Sequence, residues 1–144
     1  MKKLFLCLFA AATLAACNHS TPSAVDGATA LPNAANAPVM KFEFDTHDFG
    51  KLKQGDKTTY EFKFTNTGKS PLVITNATAT CGCTTPEWPH TPVKPGDSGS
   101  IKVTFNSTGK SGLQDKLVTV TANTVPERTS VHLIGEVLTK KLIE

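Results

Sequence analysis

Thr59-Tyr60-Glu61-Phe62-Lys63-Phe64-Thr65 alternates strictly: Tyr60, Phe62 and Phe64 fall on one phase and Thr59, Glu61, Lys63 and Thr65 on the other. Successive side chains of a strand point to opposite faces, so this period of two predicts a β-strand with one buried, aromatic face. The same texture continues on both sides. Upstream, Met40, Phe42 and Phe44 alternate with Lys41, Glu43 and Asp45, which predicts a strand with three large apolar groups on one face. Phe49-Gly50 and Leu52 follow, and Lys53-Gln54-Gly55-Asp56 reads as a turn.

Downstream, Asn66-Thr67-Gly68-Lys69 turns the chain, and Pro71 opens a strand at a place that needs no ladder donor. Leu72 and Ile74 share one phase while Ala77, Ala79 and Cys81 share the other. A side-chain period of two cannot change phase inside a regular strand, so a bulge or bend is expected near Thr75-Asn76. Ile101, Val103 and Phe105 form another apolar face after the turn signal Pro95-Gly96-Asp97. Val118, Val120 and Ala122 form the next, and Val131, Leu133 and Val137 the last, with Val125-Pro126-Glu127 as the connection between them. Short alternating runs, regular turn signals and the absence of a helical period predict an all-β, immunoglobulin-like β-sandwich of about seven strands over residues 39–144.

The N-terminus has a different character. Lys2 and Lys3 precede an apolar run from Leu4 to Ala12, and Leu14-Ala15-Ala16 places small residues before Cys17. The run falls short of the roughly 20 apolar residues that a membrane-crossing helix needs, which argues against a transmembrane anchor. Residues 1–16 resemble a bacterial lipoprotein signal peptide more than a plain secretory one, with Cys17 as the lipidated residue and the covalent lipid as membrane anchor. Residues 18–38 are rich in Ala, Asn, Ser, Thr and Pro and carry almost no charge. Such a segment cannot bury enough surface to offset its ordering, so it is expected to be a flexible, disordered tether whose ends lie roughly 25 Å apart.

Loss of Lys2 and Lys3 from 15 basic residues against 12 acidic ones leaves a formal charge of +1. With no basic cluster or interleaved aromatics, no nucleic-acid partner is expected. The expected location is the bacterial cell envelope. Asn18, rather than an acidic residue, after Cys17 resembles the outer-membrane sorting pattern, with the domain facing the periplasm.

Cys81-Gly82-Cys83-Thr84-Thr85-Pro86-Glu87-Trp88-Pro89 has no period and reads as a loop on the β-scaffold. Cys81 and Cys83 are the only cysteines outside the signal and its lipidation site, and they face an oxidising compartment. In a regular strand their Cα atoms would stand about 6.6 Å apart, at the outer edge of disulfide geometry, a gap that Gly82 lets the backbone close. A pair with structural meaning only is the first expectation. A thiol-disulfide site is the second, and Cu(I) handling by two thiolates, with His90 assisting, the third. Trp88, on a stretch stiffened by Pro86 and Pro89, is either a binding anchor or, the favoured reading, a cover over the end of the sandwich. No nucleophile-elbow, zincin, Walker or Rossmann pattern occurs.

Phe49-Gly50, Gly55, Phe62 and Phe64, Asn66-Thr67-Gly68, Pro71-Leu72-Val73-Ile74, Cys81-Gly82-Cys83, Trp88-Pro89 and Pro95-Gly96 together resemble the pattern of the domain of unknown function 1573 family, bacterial secreted and lipid-anchored proteins. The resemblance spans about Phe44 to Val137. It implies a sandwich related to PapD-like, major-sperm-protein and Hydin-type domains, and implies no particular activity. The functional expectation is a non-catalytic module with no cofactor that binds or scaffolds another envelope protein through a sheet edge or the Cys81–Trp88 loop. The alternative is a periplasmic thiol oxidoreductase or Cu(I) carrier.

Overall fold

The computed structural model describes residues 35–139, so the expected signal peptide, Cys17 and most of the expected tether lie outside the described residues. Within them are eight strands: β1 (Met40–Phe42), β2 (Thr46–Lys53), β3 (Lys57–Asn66), β4 (Ile74–Ala79), β5 (Thr84–Glu87), β6 (Ser98–Asn106), β7 (Gly112–Ala122) and β8 (Arg128–Leu138). They form two four-stranded sheets, β1-β3-β6-β5 and β2-β8-β7-β4. Every pairing is antiparallel except that of β2 with β8.

The core is the sum of the inward phases. Phe62, Phe64, Ile101, Val103 and Phe105 of the first sheet are fully buried, as are Val118, Val131, Leu133 and Val137 of the second. Full burial of each such side chain contributes roughly 1.5–3 kcal/mol, which explains why a domain of this size holds together without an inter-sheet disulfide. Glu61 and Lys63, on the opposite phase, are exposed. The anticipated change of phase in β4 is present as a register shift between Ile74 and Asn76.

Two polar residues fasten the ends of the sandwich. Asn66 is fully buried; its Nδ2 donates to the carbonyls of Ser70 (2.8 Å) and Val93 (3.0 Å), and its Oδ1 accepts from the backbone N–H of Gly68 and Val39. Ser107, also fully buried, shares its one hydroxyl proton between the carbonyls of Asp56 (2.7 Å) and Lys53 (3.0 Å) and accepts from Gly55 N–H. Each ties several loops together through their backbone groups.

Three local expectations change. Phe44 does not extend the first strand: β1 stops at Phe42 because the chain leaves one sheet for the other, and Phe44 is 68% exposed. Thr84–Glu87 is not loop but a strand, with Pro86 opposite Val103. Proline is tolerated there because β5 is an edge strand and the missing N–H can face away from the ladder. Ala37 and Pro38, assigned to the tether by composition, are buried against the turn after β3. A Cβ on Gly68 would fall 2.4 Å from Val39 N, so glycine is what lets this segment pack so closely.

Candidate functional site

Cys81 and Cys83 sit on the turn that carries the chain from the second sheet to the first. Thr80 N–H still donates to Leu117 O on the β7 side (3.2 Å), and Cys83 O already accepts from Asn106 N–H on the β6 side (2.9 Å). Between these anchors Thr84 N–H closes the turn onto Cys81 O (3.2 Å). The folded backbone brings the two Cα atoms to 5.3 Å, shorter than an extended strand allows, and the sulfurs are joined as a disulfide. Both cysteines are half-buried, and Gly82 between them is exposed with no atom near the position of an added Cβ.

Thr84 is buried beneath the pair. Its Oγ1 stands 3.6 Å from Cys81 Sγ and 3.9 Å from Cys83 Sγ. The two sulfurs differ in outlook. Cys83, but not Cys81, forms part of the wall of a shallow cleft of about 230 Å³ together with Lys57, Thr85, Thr104 and Asn106. The register explains the gathering: Lys57 lies opposite Asn106, and Thr85 is paired with Thr104, two residues away from Asn106 on the same face of β6.

Trp88 follows β5, is half-buried and packs against the core, so its ring covers apolar side chains rather than standing free. Its Nε1 is buried without a hydrogen-bond partner among the described residues, and its ring lies 5.3 Å from that of exposed His90. Pro89 is half-buried between them. Among the described residues no group of three or more His, Cys, Asp or Glu is arranged to hold a metal ion, and the disulfide leaves neither sulfur as a thiolate ligand. Lys57 and Thr84 were not singled out in the sequence. Thr84 was detectable as the hydroxyl next to Cys83, whereas Lys57 arrives only through the β3–β6 ladder.

The family model described as "Protein of unknown function (DUF1573)" matches residues 40–137, the span that holds both sheets and the cysteine turn. The chain belongs to the DUF1573 family. A search of curated proteins returns no match. Among solved structures, this DUF1573 domain is similar to a protein of unknown function from Porphyromonas gingivalis W83, with 21% identity, a TM-score of 0.62 and coverage of 72% of this chain and 48% of that one. It is also similar to the ASH/PapD-like domain 7 of human CEP192, at 10% identity and a TM-score of 0.58, covering 84% of this chain and 98% of that domain. The secreted serine protease VesC from Vibrio cholerae shares 14% identity at a TM-score of 0.53, over 72% of this chain and 23% of the protease. The chain thus spans about half of the first protein and about a quarter of the protease. At these identities the likeness shows the DUF1573 sandwich fold and no shared chemistry.

Proposed function

We propose that this DUF1573 chain is a lipid-anchored, non-catalytic module of the bacterial cell envelope that binds another envelope protein by accepting its extended segment along β4. The observation that carries this reading is the character of the β4 edge. Hydrogen-bonded and non-bonded pairs alternate along an antiparallel ladder. Since Thr80 bonds to Leu117, the bonded positions before it are Thr78 and Asn76, and Ala77 and Ala79 turn their N–H and C=O groups away from β7. No strand hydrogen-bonds to β4 on that side among the described residues.

Sheet edges are ordinarily protected by charge, proline, shortness or bulges. β1 has three residues including Lys41; β5 has four including Pro86; β2 carries Asp48, Lys51 and Lys53 and a register shift. β4, six residues long, has neither charge nor proline, and its irregularity is confined to its start. Main-chain addition to such an edge is a recurrent mode of peptide recognition. Anchoring through lipidated Cys17, in the outer membrane and facing the periplasm, is supported by the signal-like N-terminus and by Asn18.

Photo-crosslinking in cells tests the reading. A crosslinker at Asn76 or Thr78 is expected to capture a defined protein, and one at Lys41 on the opposite edge is not. Ala79→Pro removes an outward N–H without costing a β7 bond, so it should abolish the adduct while the domain stays folded. An adduct indifferent to Ala79→Pro, or equal capture from Lys41, would reject edge addition.

A further inference from the structure

We propose that the Cys81–Cys83 disulfide is a polarised site for thiol-disulfide exchange, in which Cys83 is the attacked sulfur, Cys81 the leaving sulfur held by Thr84, and the incoming group a carboxylate-bearing thiol drawn by Lys57. This exchange is stoichiometric, one disulfide consumed per substrate disulfide formed, and is independent of docking on β4. The bond spans one residue and closes a minimal ring, so it does little for the unfolded-chain entropy that structural disulfides restrict. It also joins no two sheets, because both cysteines belong to a single turn.

The polarity comes from the surroundings. Cys83 lines the cleft and Cys81 is not part of its wall, although both are half-buried and Cys83 also packs against the core. A disulfide sulfur carries no hydrogen, so in the contacts between Thr84 Oγ1 and the two sulfurs the hydroxyl must be the donor, and it is closer to Cys81 (3.6 Å) than to Cys83 (3.9 Å). Those sulfurs are the only partners of this hydroxyl among the described residues, at a position 5% exposed. A buried donor aimed at the place where negative charge will develop stabilises the departing thiolate and lowers the pKa of the leaving group, which speeds exchange. Lys57 supplies a cation to the same cleft that Cys83 lines, whose volume of about 230 Å³ suits a cysteine side chain and an adjacent carboxylate.

The step balances without an added oxidant. A thiolate attacks Cys83 Sγ, a new S–S bond forms there, the Cys83–Cys81 bond breaks, and its electron pair leaves on Cys81 Sγ. A second thiol of the same class, attacking the sulfur of the first, releases the substrate as a disulfide and leaves Cys83 as a thiolate. The protein has then gained two electrons and, after protonation, two thiols.

The purified oxidised domain is reacted with excess glutathione and quenched with acid at early times. Fragmentation of the cysteine peptide is expected to place glutathione on Cys83 and the free thiol on Cys81. Thr84→Val should slow the reaction roughly three- to tenfold, as loss of one hydrogen bond implies, and Thr84→Ser should restore it. Lys57→Glu should slow glutathione and accelerate the cationic thiol cysteamine, with both effects fading at high salt. Circular dichroism confirms that each variant is folded before its rate is compared. Glutathione appearing first on Cys81, a disulfide inert to excess glutathione, or rates unchanged in folded Thr84→Val and Lys57→Glu would overturn the proposal.

Discussion

The ring of Phe64 fills the space that a side chain at Gly99 would occupy: a Cβ built on Gly99 would lie 2.6 Å from Phe64 Cζ. The two residues are direct cross-strand partners, and Phe64 is fully buried, so the ring has nowhere to withdraw. Gly99→Ala is therefore expected to cost about 1–3 kcal/mol by overpacking. Gly82→Ala, with nothing near its Cβ, should change stability by less than about 0.5 kcal/mol. Urea denaturation of both variants checks the contrast, and equal losses would mean that Phe64 repacks freely.

Phe62 and Phe64 carry the inward phase of β3, and Glu61 and Lys63 the outward one. Either Phe→Ala change should remove roughly 3–5 kcal/mol through lost transfer energy and a residual cavity. Glu61→Ala and Lys63→Ala should stay within about 0.5 kcal/mol. Similar losses from both pairs would contradict the packing described.

Asn66 joins Ser70, Val93, Gly68 and Val39 through one buried amide. Removing it leaves several of these groups unpaired at about 1–3 kcal/mol each, so Asn66→Ala should lose at least about 2 kcal/mol. Hydrogen exchange should accelerate first at Gly68 and Val39, whose N–H groups lose their acceptor. Asn66→Asp keeps the acceptors but not the donors, and is expected to recover little.

For Cys81 and Cys83 the expectation is the opposite of what is normal for secreted domains. Because the closed loop contains a single intervening residue, Cys81→Ser combined with Cys83→Ser should cost less than about 1.5 kcal/mol. Calorimetry of the double variant beside the oxidised parent measures it. A larger loss would show that the half-buried Cys83 side chain, which packs against the core, outweighs the covalent bond.

Lipidation at Cys17 would hold the chain at the membrane, since buried acyl chains contribute about 0.8 kcal/mol per CH₂. Cys17→Ser is expected to release a folded, water-soluble domain. Detergent phase partitioning of mutant and parent distinguishes the outcomes: identical partitioning into detergent would remove the lipoprotein reading.

The inward set of residues is legible in the sequence because β-periodicity is local. Phe62 and Phe64, the Ile101-Val103-Phe105 face and the phase change after Ile74 depend only on which side of one backbone each Cβ leaves, and all appear as read. What failed depended on partners. An alternating run ends where its neighbour ends, so Phe44 is exposed although its phase matches Met40 and Phe42. A proline-containing run becomes a strand where a ladder accepts it, so β6 makes Thr84–Glu87 into β5.

The candidate site divides in the same way. Sequence alone determined that two cysteines one residue apart follow a strand and that a hydroxyl residue comes next. It also determined the sandwich and the family pattern. Only the tertiary structure decided that the turn crosses between sheets, that Thr84 points its hydroxyl at the sulfurs, and that Lys57 shares a cleft with Cys83 but not with Cys81. It also decided that β4, next to this turn, is an edge with outward-facing backbone at Ala77 and Ala79. The reason is physical: strand phase follows from bonded neighbours, whereas ladder order, and with it every contact between distant segments, follows from how two whole sheets bury their apolar faces against each other.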